Sequence, residues 1–331
     1  MTESMKAWRN EAYGRAADVA LDEVPIPVPL TGEVLLRMRV TALNAGDVRL
    51  MQGDPLLVRP MFGMTRPKFP IRGMDAVGEV VQAGPNVIGV EVGDVVVGEL
   101  QSGGGLGEYV AVPASRVQPL PPGIDEGEAA TLPIAGGTAW QALDLARVGL
   151  RSRAERVLVI GASGGVGTFA VQFAALRGAE VWASCAERNR ALVKGLGAVR
   201  TLDHRREPLS AIPGGHFDAV IDIAGDVGLR DLQRLVTDDG TIVLATGAGG
   251  HVLGPIPRML RAALLSVGAG PGIRSLAATN RPEVITKMLE LLAARRFAPV
   301  IEHEYPFREA DAALARIEEG HVAGKLIVRV G

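Results

Sequence analysis

Four glycines, at positions 161, 164, 165 and 167, follow the apolar run Val157–Ile160 and open a stretch, Val166–Leu176, whose apolar residues recur at helical spacing. A strand, a glycine turn and a helix in that order make a place for a phosphate. Glycine lets backbone N–H groups approach an anion closely, and the first helical turn offers unpaired N–H groups at the positive end of the helix dipole. The spacing is G-x-x-G-x-x-G and no lysine follows Gly167, so a nucleoside-triphosphate P-loop is excluded. The continuation narrows the ligand further. Ala179–Ala183 predicts a second strand, Glu187–Gly195 a second helix and Val199–Leu202 a third strand, a βαβαβ unit of the dinucleotide-binding kind. Gly161, Ser163, Gly164, Gly165, Val166 and Gly167 are therefore expected around a pyrophosphate.

The rest of the chain bounds what such a ligand is used for. Its 331 residues, 47% of them hydrophobic, suffice for two cores. The net charge of −2 carries no long run of either sign, so neither nucleic acid nor an acidic membrane is an expected partner. A single cysteine, Cys185, excludes an intramolecular disulfide and a multi-thiolate zinc site. The first twenty residues carry charges throughout, and no stretch reaches the roughly 18 apolar residues of a membrane helix. A soluble, cytoplasmic protein acting on a small substrate is expected.

From Met5 to about Gly123 short apolar or alternating runs (Glu33–Val40, Ala76–Ala83, Asp94–Val97, Glu108–Val112) are separated by Gly and Pro, which predicts a β-rich domain. Asp47–Gln52 suits a short helix. Asp54–Phe69 is bulky, apolar and broken by three prolines, and reads as an irregular loop that lines a pocket or packs. Met61 and Phe62 within it, and Met51 just before it, are candidates for a wall against a flat apolar substrate. Near Asp125 the texture turns helical, with Glu126–Leu132 and Thr138–Val148. After the βαβαβ unit, Asp218–Ile223, Leu229–Val236 and Thr241–Thr246 add a strand, a helix and a strand. Pro255–Leu264 then predicts a helix and Leu265–Gly268 a closing strand. The tail predicts a helix at Pro282–Arg295, a strand at Val300–Glu304, a helix at Arg308–Glu319 and a last strand, Lys325–Val330, able to return to the first sheet.

Several stretches, in order along essentially the whole chain, resemble the medium-chain dehydrogenase/reductase superfamily, and within it the zinc-free quinone oxidoreductase branch. They are Ala42–Asp47 (ALNAGD), Gly73–Gly78 (GMDAVG), Val92–Val96 (VGDVV), Gly105–Val110 (GLGEYV), Leu132–Leu143 (LPIAGGTAWQAL), Gly161–Ala174 (GASGGVGTFAVQFA) and Gly324–Val328 (GKLIV). The resemblance implies an α/β architecture: a GroES-like β-rich catalytic domain at 1–125 and 273–331, and a Rossmann doubly wound parallel-sheet domain at 126–272. Where the alcohol-dehydrogenase branch holds catalytic zinc with Cys, His and Cys, this chain has Asn44, Met74 and Ile134, and the cysteine-rich lobe of the structural zinc is missing. No metal is expected.

Without a metal to polarise a carbonyl, hydride transfer needs an acceptor that is already electron-poor, a quinone or a carbon–carbon double bond conjugated to a carbonyl. The resemblance places Asn44 and Thr138 at the nicotinamide end. It assigns Asp47 a place there too, although the capping of a short helix would account for that residue equally. It also brings Ala224, Thr246, Gly247 and Lys325 to the cofactor, and His251 near its nicotinamide end. The end of the second strand is neutral Cys185 rather than an acid for a ribose 2′-hydroxyl. With Ser184, Arg188, Arg190 and His204 nearby, this favours NADP(H) over NAD, although Glu187 argues the other way. Pro55 stands where enoyl-thioester reductases of the superfamily place a tyrosine acid, which counts against that substrate class. His216, His303 and His321 have no spacing that suggests a metal or a triad, and Cys185 has no residue placed to activate it. The expected function is a zinc-independent NADPH-dependent reductase of quinones or enones. The alternatives are an idle NADP-binding or sensing protein and, more remotely, a zinc alcohol dehydrogenase. A homodimer through the sheet edge near Thr241–Gly270 is implied by the resemblance.

Overall fold

The computed structural model describes residues 3–245, 249–267 and 270–331. It divides into two compact units, Met1–Gly137 with Asn280–Gly331, and Thr138–Thr279. Residues 126–137 thus pack with the first unit and 273–279 with the second.

The first unit is built on a long strand, Glu33–Leu43, whose alternation puts Val34, Leu36 and Met38 on one face. That face packs with Ala76, Val80, Val96, Leu100, Val110 and Val112 from the strands Asp75–Ala83, Val95–Glu99 and Tyr109–Pro113 and the residue after the second of them. These strands coincide with the predicted runs to within a residue or two. Short helix Ala45–Gln52 leaves the end of the long strand and buries Val48 and Met51 with Trp8, Leu106, Leu314 and Val328. The tail completes the sheet: Lys325–Arg329 lies between Ile301–Pro306, its parallel neighbour, and Glu33–Leu43, its antiparallel one. The return of the last strand to the first sheet is as the sequence suggests. Helix Pro282–Ala293 buries Val284, Ile285, Met288, Leu289 and Leu292 along one stripe.

Two local features differ from expectation. Ser4–Arg9 and Ala20–Pro25 form an antiparallel pair that the charged N-terminal sequence conceals. The Asp54–Phe69 segment is not wholly irregular. A 3₁₀ turn, Leu56–Val58, leads into a one-turn helix, Arg59–Phe62, because Pro60 falls in the first helical turn, where its missing N–H has no partner to lose.

The second unit is a six-stranded sheet with every adjacent pair parallel, in the order Arg200–Asp203, Glu180–Cys185, Arg156–Ile160, Phe217–Asp222, Val236–Leu244, Gly272–Ser275. The order reverses between Arg156–Ile160 and Phe217–Asp222, and ligands of such sheets bind beyond the carboxyl ends of the strands at that reversal. The closing strand is Gly272–Ser275 and not the predicted Leu265–Gly268. Leu265 is the last residue of helix Ile256–Leu265, whose apolar run is amphipathic and helical rather than extended.

Candidate functional site

In the second unit the glycine turn sits at the topological reversal. Gly161 follows strand Arg156–Ile160 with φ +82°, a left-handed conformation that suits glycine, and a Cβ there would stand 3.1 Å from the Ala224 nitrogen just beyond strand Phe217–Asp222. Helix Gly165–Leu176 begins at Gly164, which has no side chain to cap it. The N–H groups of its first turn have no intrahelical acceptors. Gly167 allows the helix to close on the strand: a Cβ would lie 2.2 Å from the Gly161 carbonyl oxygen and 2.7 Å from the Ala162 backbone. The uncapped N–H groups suit a pyrophosphate. Ser163 Oγ accepts a hydrogen bond from Asn189 Nδ2 at 3.0 Å, tying the turn to the segment after the second strand; nothing in the sequence singles out Asn189.

The second strand ends at Ser184 and Cys185, both buried. Burial pushes the Cys185 thiol pKa up, so the residue is an inert neutral group here. Arg190 is already engaged. Its Nε donates to Thr201 Oγ1 at 3.0 Å, its Nη2 to the Thr201 carbonyl at 3.1 Å, and its Nη1 pairs with Glu187 at 3.0 Å and Glu207 at 3.4 Å. His204 is exposed. Thr246 and Gly247 lie outside the described residues.

The first unit gathers a second set of residues where three strands meet helix Ala45–Gln52. The register that pairs Leu326 with Leu43 brings Lys325 beside Asn44, the residue that begins this helix. Lys325 Nζ donates to Asn44 Oδ1 at 2.5 Å and stands 3.3 Å from Asp75 Oδ2, while Asn44 Nδ2 donates to the same Asp75 oxygen at 2.8 Å. Asp75 Oδ1 accepts from the Ile134 N–H at 2.9 Å, in the π-helical turn Leu132–Gly136. Asp75 and Lys325 are fully buried and Asn44 half-buried. Burial raises the Asp75 pKa above the usual carboxylate range, against the pull of the Lys325 charge.

Asp47 serves the same corner from inside. Its carboxylate accepts from the backbone N–H groups of Asn44 at 2.9 Å and Gly73 at 2.8 Å, so it caps the helix start and pins the loop before the Asp75 strand. Burial pushes its pKa up to about 6 in spite of those two donors and the nearby Arg72 charge. Arg72 is itself buried, with Nε and Nη2 lacking a hydrogen-bond partner, and burial lowers its pKa. Sequence reasoning passes over Arg72. The partnership of Lys325 with Asp75 is also beyond it, although a carboxylate and an ammonium at the starts of apolar strands are signals of a buried pair.

The other expected residues scatter. Thr138 is half-buried at the second position of helix Gly137–Leu145. Met51 is fully buried in the core with Trp8 and Leu106, so it packs rather than walls an open pocket. Met61 is exposed, and Phe62 meets Phe69 edge to face at 6.5 Å. His251 is exposed.

Comparison with known proteins finds family matches in two parts of the chain and relatives along nearly all of it. Residues 31–122 match the alcohol dehydrogenase GroES-like domain, and residues 196–328 match a family described as zinc-binding dehydrogenase. The chain is 34% identical over 337 residues to quinone-oxidoreductase QR1, chloroplastic, of Triphysaria versicolor, and 32% identical over 335 residues to the chloroplast envelope quinone oxidoreductase homolog of Arabidopsis thaliana. Each alignment spans 98% of both proteins. The structure of the quinone oxidoreductase from Coxiella burnetii superposes with a TM-score of 0.88 at 27% identity, over 99% of this chain and 100% of that one.

The raised Asp47 pKa makes a signed prediction. The fold favours the protonated carboxyl, so this residue's contribution to stability is complete below the unfolded value of 3.8 and is lost as pH rises through about 6. In urea titrations the unfolding free energy of the wild type relative to Asp47→Asn is expected to fall by about 2 kcal/mol between pH 4 and 7. A difference independent of pH would mean that Asp47 is ionised throughout that range.

Proposed function

This chain belongs to the medium-chain dehydrogenase/reductase superfamily, in its quinone oxidoreductase-like branch, and from that membership we propose that it is a metal-free, NADPH-dependent reductase of small apolar quinones or enones. The observation that carries the metal-free reading is the donor set. The three positions that hold catalytic zinc in the alcohol-dehydrogenase branch carry a carboxamide, a thioether and an alkyl group, Asn44, Met74 and Ile134. Zinc takes thiolate, imidazole or carboxylate. The adjacent carboxylates are committed, Asp47 to two backbone N–H groups and Asp75 to an N–H, a carboxamide and the Lys325 ammonium. Among the described residues no three of His, Cys, Asp and Glu are grouped for a metal.

When bound, the reduced nicotinamide supplies a hydride, and an acceptor with no Lewis acid to polarise it must be electron-poor on its own account. The work left to the protein is orientation and the exclusion of water. The turn Gly161–Gly167 holds the pyrophosphate by backbone N–H groups. Asn44 and Thr138 orient the nicotinamide end, and Asp47 keeps the helix start behind Asn44 in place. The proton that completes the reduction comes from solvent or a bound hydroxyl. Preference for the 2′-phosphate is supported by the neutral Cys185 at the strand end, with Ser184, Arg188 and His204 beside it. Arg190 contributes by exchanging its Glu187 partner for the phosphate.

The assembly we propose is a homodimer. Strand Gly272–Ser275 is one of the two edge strands of its sheet, and helix Ile256–Leu265 before it exposes Ile256, Leu260 and Leu264 in one stripe that Val267 extends. Bulky apolar residues at helical spacing on a surface mark an interaction face.

Three measurements test these readings. NADPH oxidation is expected with members of a quinone or enone panel and purified protein free of zinc. Tight NADPH binding without turnover on any acceptor would instead favour a binding or sensing protein, and stoichiometric zinc would overturn the metal-free reading. Arg190→Ala is expected to weaken NADPH about tenfold more than NADH; equal losses would remove Arg190 from the phosphate. Light scattering is expected to give twice the chain mass, and Leu260→Asp to give monomer, whereas a monomeric wild type would refute the dimer.

A further inference from the structure

We propose that Lys325 and Asp75 are a positioning pair that locks the Asn44 carboxamide in one orientation, so that Asn44 meets its ligand as an acceptor of a hydrogen bond from a hydroxyl group. This rests on the reading above in that Asn44 faces the reacting ligands.

A carboxamide has two ends of nearly equal size and opposite hydrogen-bonding sense, and which end faces which partner decides what it recognises. Here the partners leave no choice. An ammonium only donates and a carboxylate only accepts. With Lys325 Nζ at 2.5 Å from Oδ1 and Asp75 Oδ2 at 2.8 Å from Nδ2, reversal would set N–H groups against the ammonium and a carbonyl against the carboxylate. The pair itself cannot turn away. Lys325 and Asp75 stand 3.3 Å apart, both buried, and the Ile134 N–H holds the second Asp75 oxygen.

The capacity Asn44 has left follows from this orientation. Of its two N–H bonds one is spent on Asp75 and the other points at the Ala42 carbonyl at 3.5 Å. Oδ1 keeps one lone pair beside the Lys325 bond. The open valence is an acceptor, which fits a hydroxyl and not a carbonyl oxygen. Two ligands bring such a group, a ribose of the dinucleotide and the hydroquinone form of a quinone substrate. Lys325, assigned to the cofactor by resemblance, thereby acts through Asn44 rather than by touching the ligand.

The test compares Asn44→Ala, Lys325→Met, the double variant Asp75→Asn/Lys325→Met, and that double variant combined with Asn44→Ala. Lys325→Met alone strands a buried carboxylate and risks unfolding. The double variant is neutral, and the carboxamide it places at position 75 can donate or accept, so the orientation is lost without a stranded charge. Dissociation constants for NADPH, a hydroquinone and the matching quinone are read by equilibrium titration, with melting temperatures alongside. No turnover is needed, so an inactive protein would sink the reductase reading without deciding this one. In the double variant the constant for NADPH or for the hydroquinone is expected to rise about tenfold, the quinone to be unaffected, and Asn44→Ala to add nothing further. A rise for NADPH assigns the ribose hydroxyl, and a rise for hydroquinone alone assigns the substrate's. Unchanged constants for both, or losses that multiply on adding Asn44→Ala, would overturn the proposal.

Discussion

A carboxylate that no water reaches must find every hydrogen bond inside the protein, and Asp75 is the residue under that constraint on which the first unit's site depends. Burying a lone carboxylate costs several kcal/mol, and the cost is offset only if charge and lone pairs are matched. Here the match comes from three distant parts of the chain: the Asn44 carboxamide, the Ile134 N–H and the Lys325 ammonium. The demand of one side chain thereby ties the start of a helix, a π-helical turn and the first residue of the last strand to the same point. Asp47 repeats the device one step away, holding the backbone of Asn44 and Gly73.

The second unit solves its problem with backbone instead of charge. Its turn has glycine where a side chain would collide, at Gly167 against the Gly161 carbonyl, and where the chain runs left-handed, at Gly161. What remains is a helix end without a side-chain cap at a sheet reversal, and N–H groups so disposed suit an anion. On the proposed reading the two units offer different kinds of recognition, a dipolar cradle for phosphate and a fixed carboxamide for a hydroxyl.

The same polar corner supports the metal-free reading proposed above. A cation beside Asn44 would face the Lys325 ammonium, and the carboxylates that could attract it are already satisfied. One matched family is described as zinc-binding, and the metal-free reading departs from that description on the carboxamide, thioether and alkyl group of Asn44, Met74 and Ile134, which are poor zinc donors.

Sequence by itself determined the parts whose cause is local. The glycines at 161, 164, 165 and 167 between an apolar run and a helical pattern mark the turn, alternation marks a strand over Glu33–Val40 that the structure extends to Leu43, and the identities Asn44, Met74 and Ile134 are legible as poor zinc donors once the resemblance aligns them. Local reasoning failed where two periodicities overlap, as at Leu265, where an apolar run read as a strand belongs to an amphipathic helix. It also failed at Met51, whose type suits a pocket wall or a core equally and which the fold commits to the core. Only the tertiary structure decided the partners of Lys325 and Arg190. Lys325 meets Asn44 and Asp75 across 281 and 250 positions of chain, and Arg190 turns to Thr201 and Glu187. Charge matching of that kind is set by sheet register and burial, which exist only once the strands have paired.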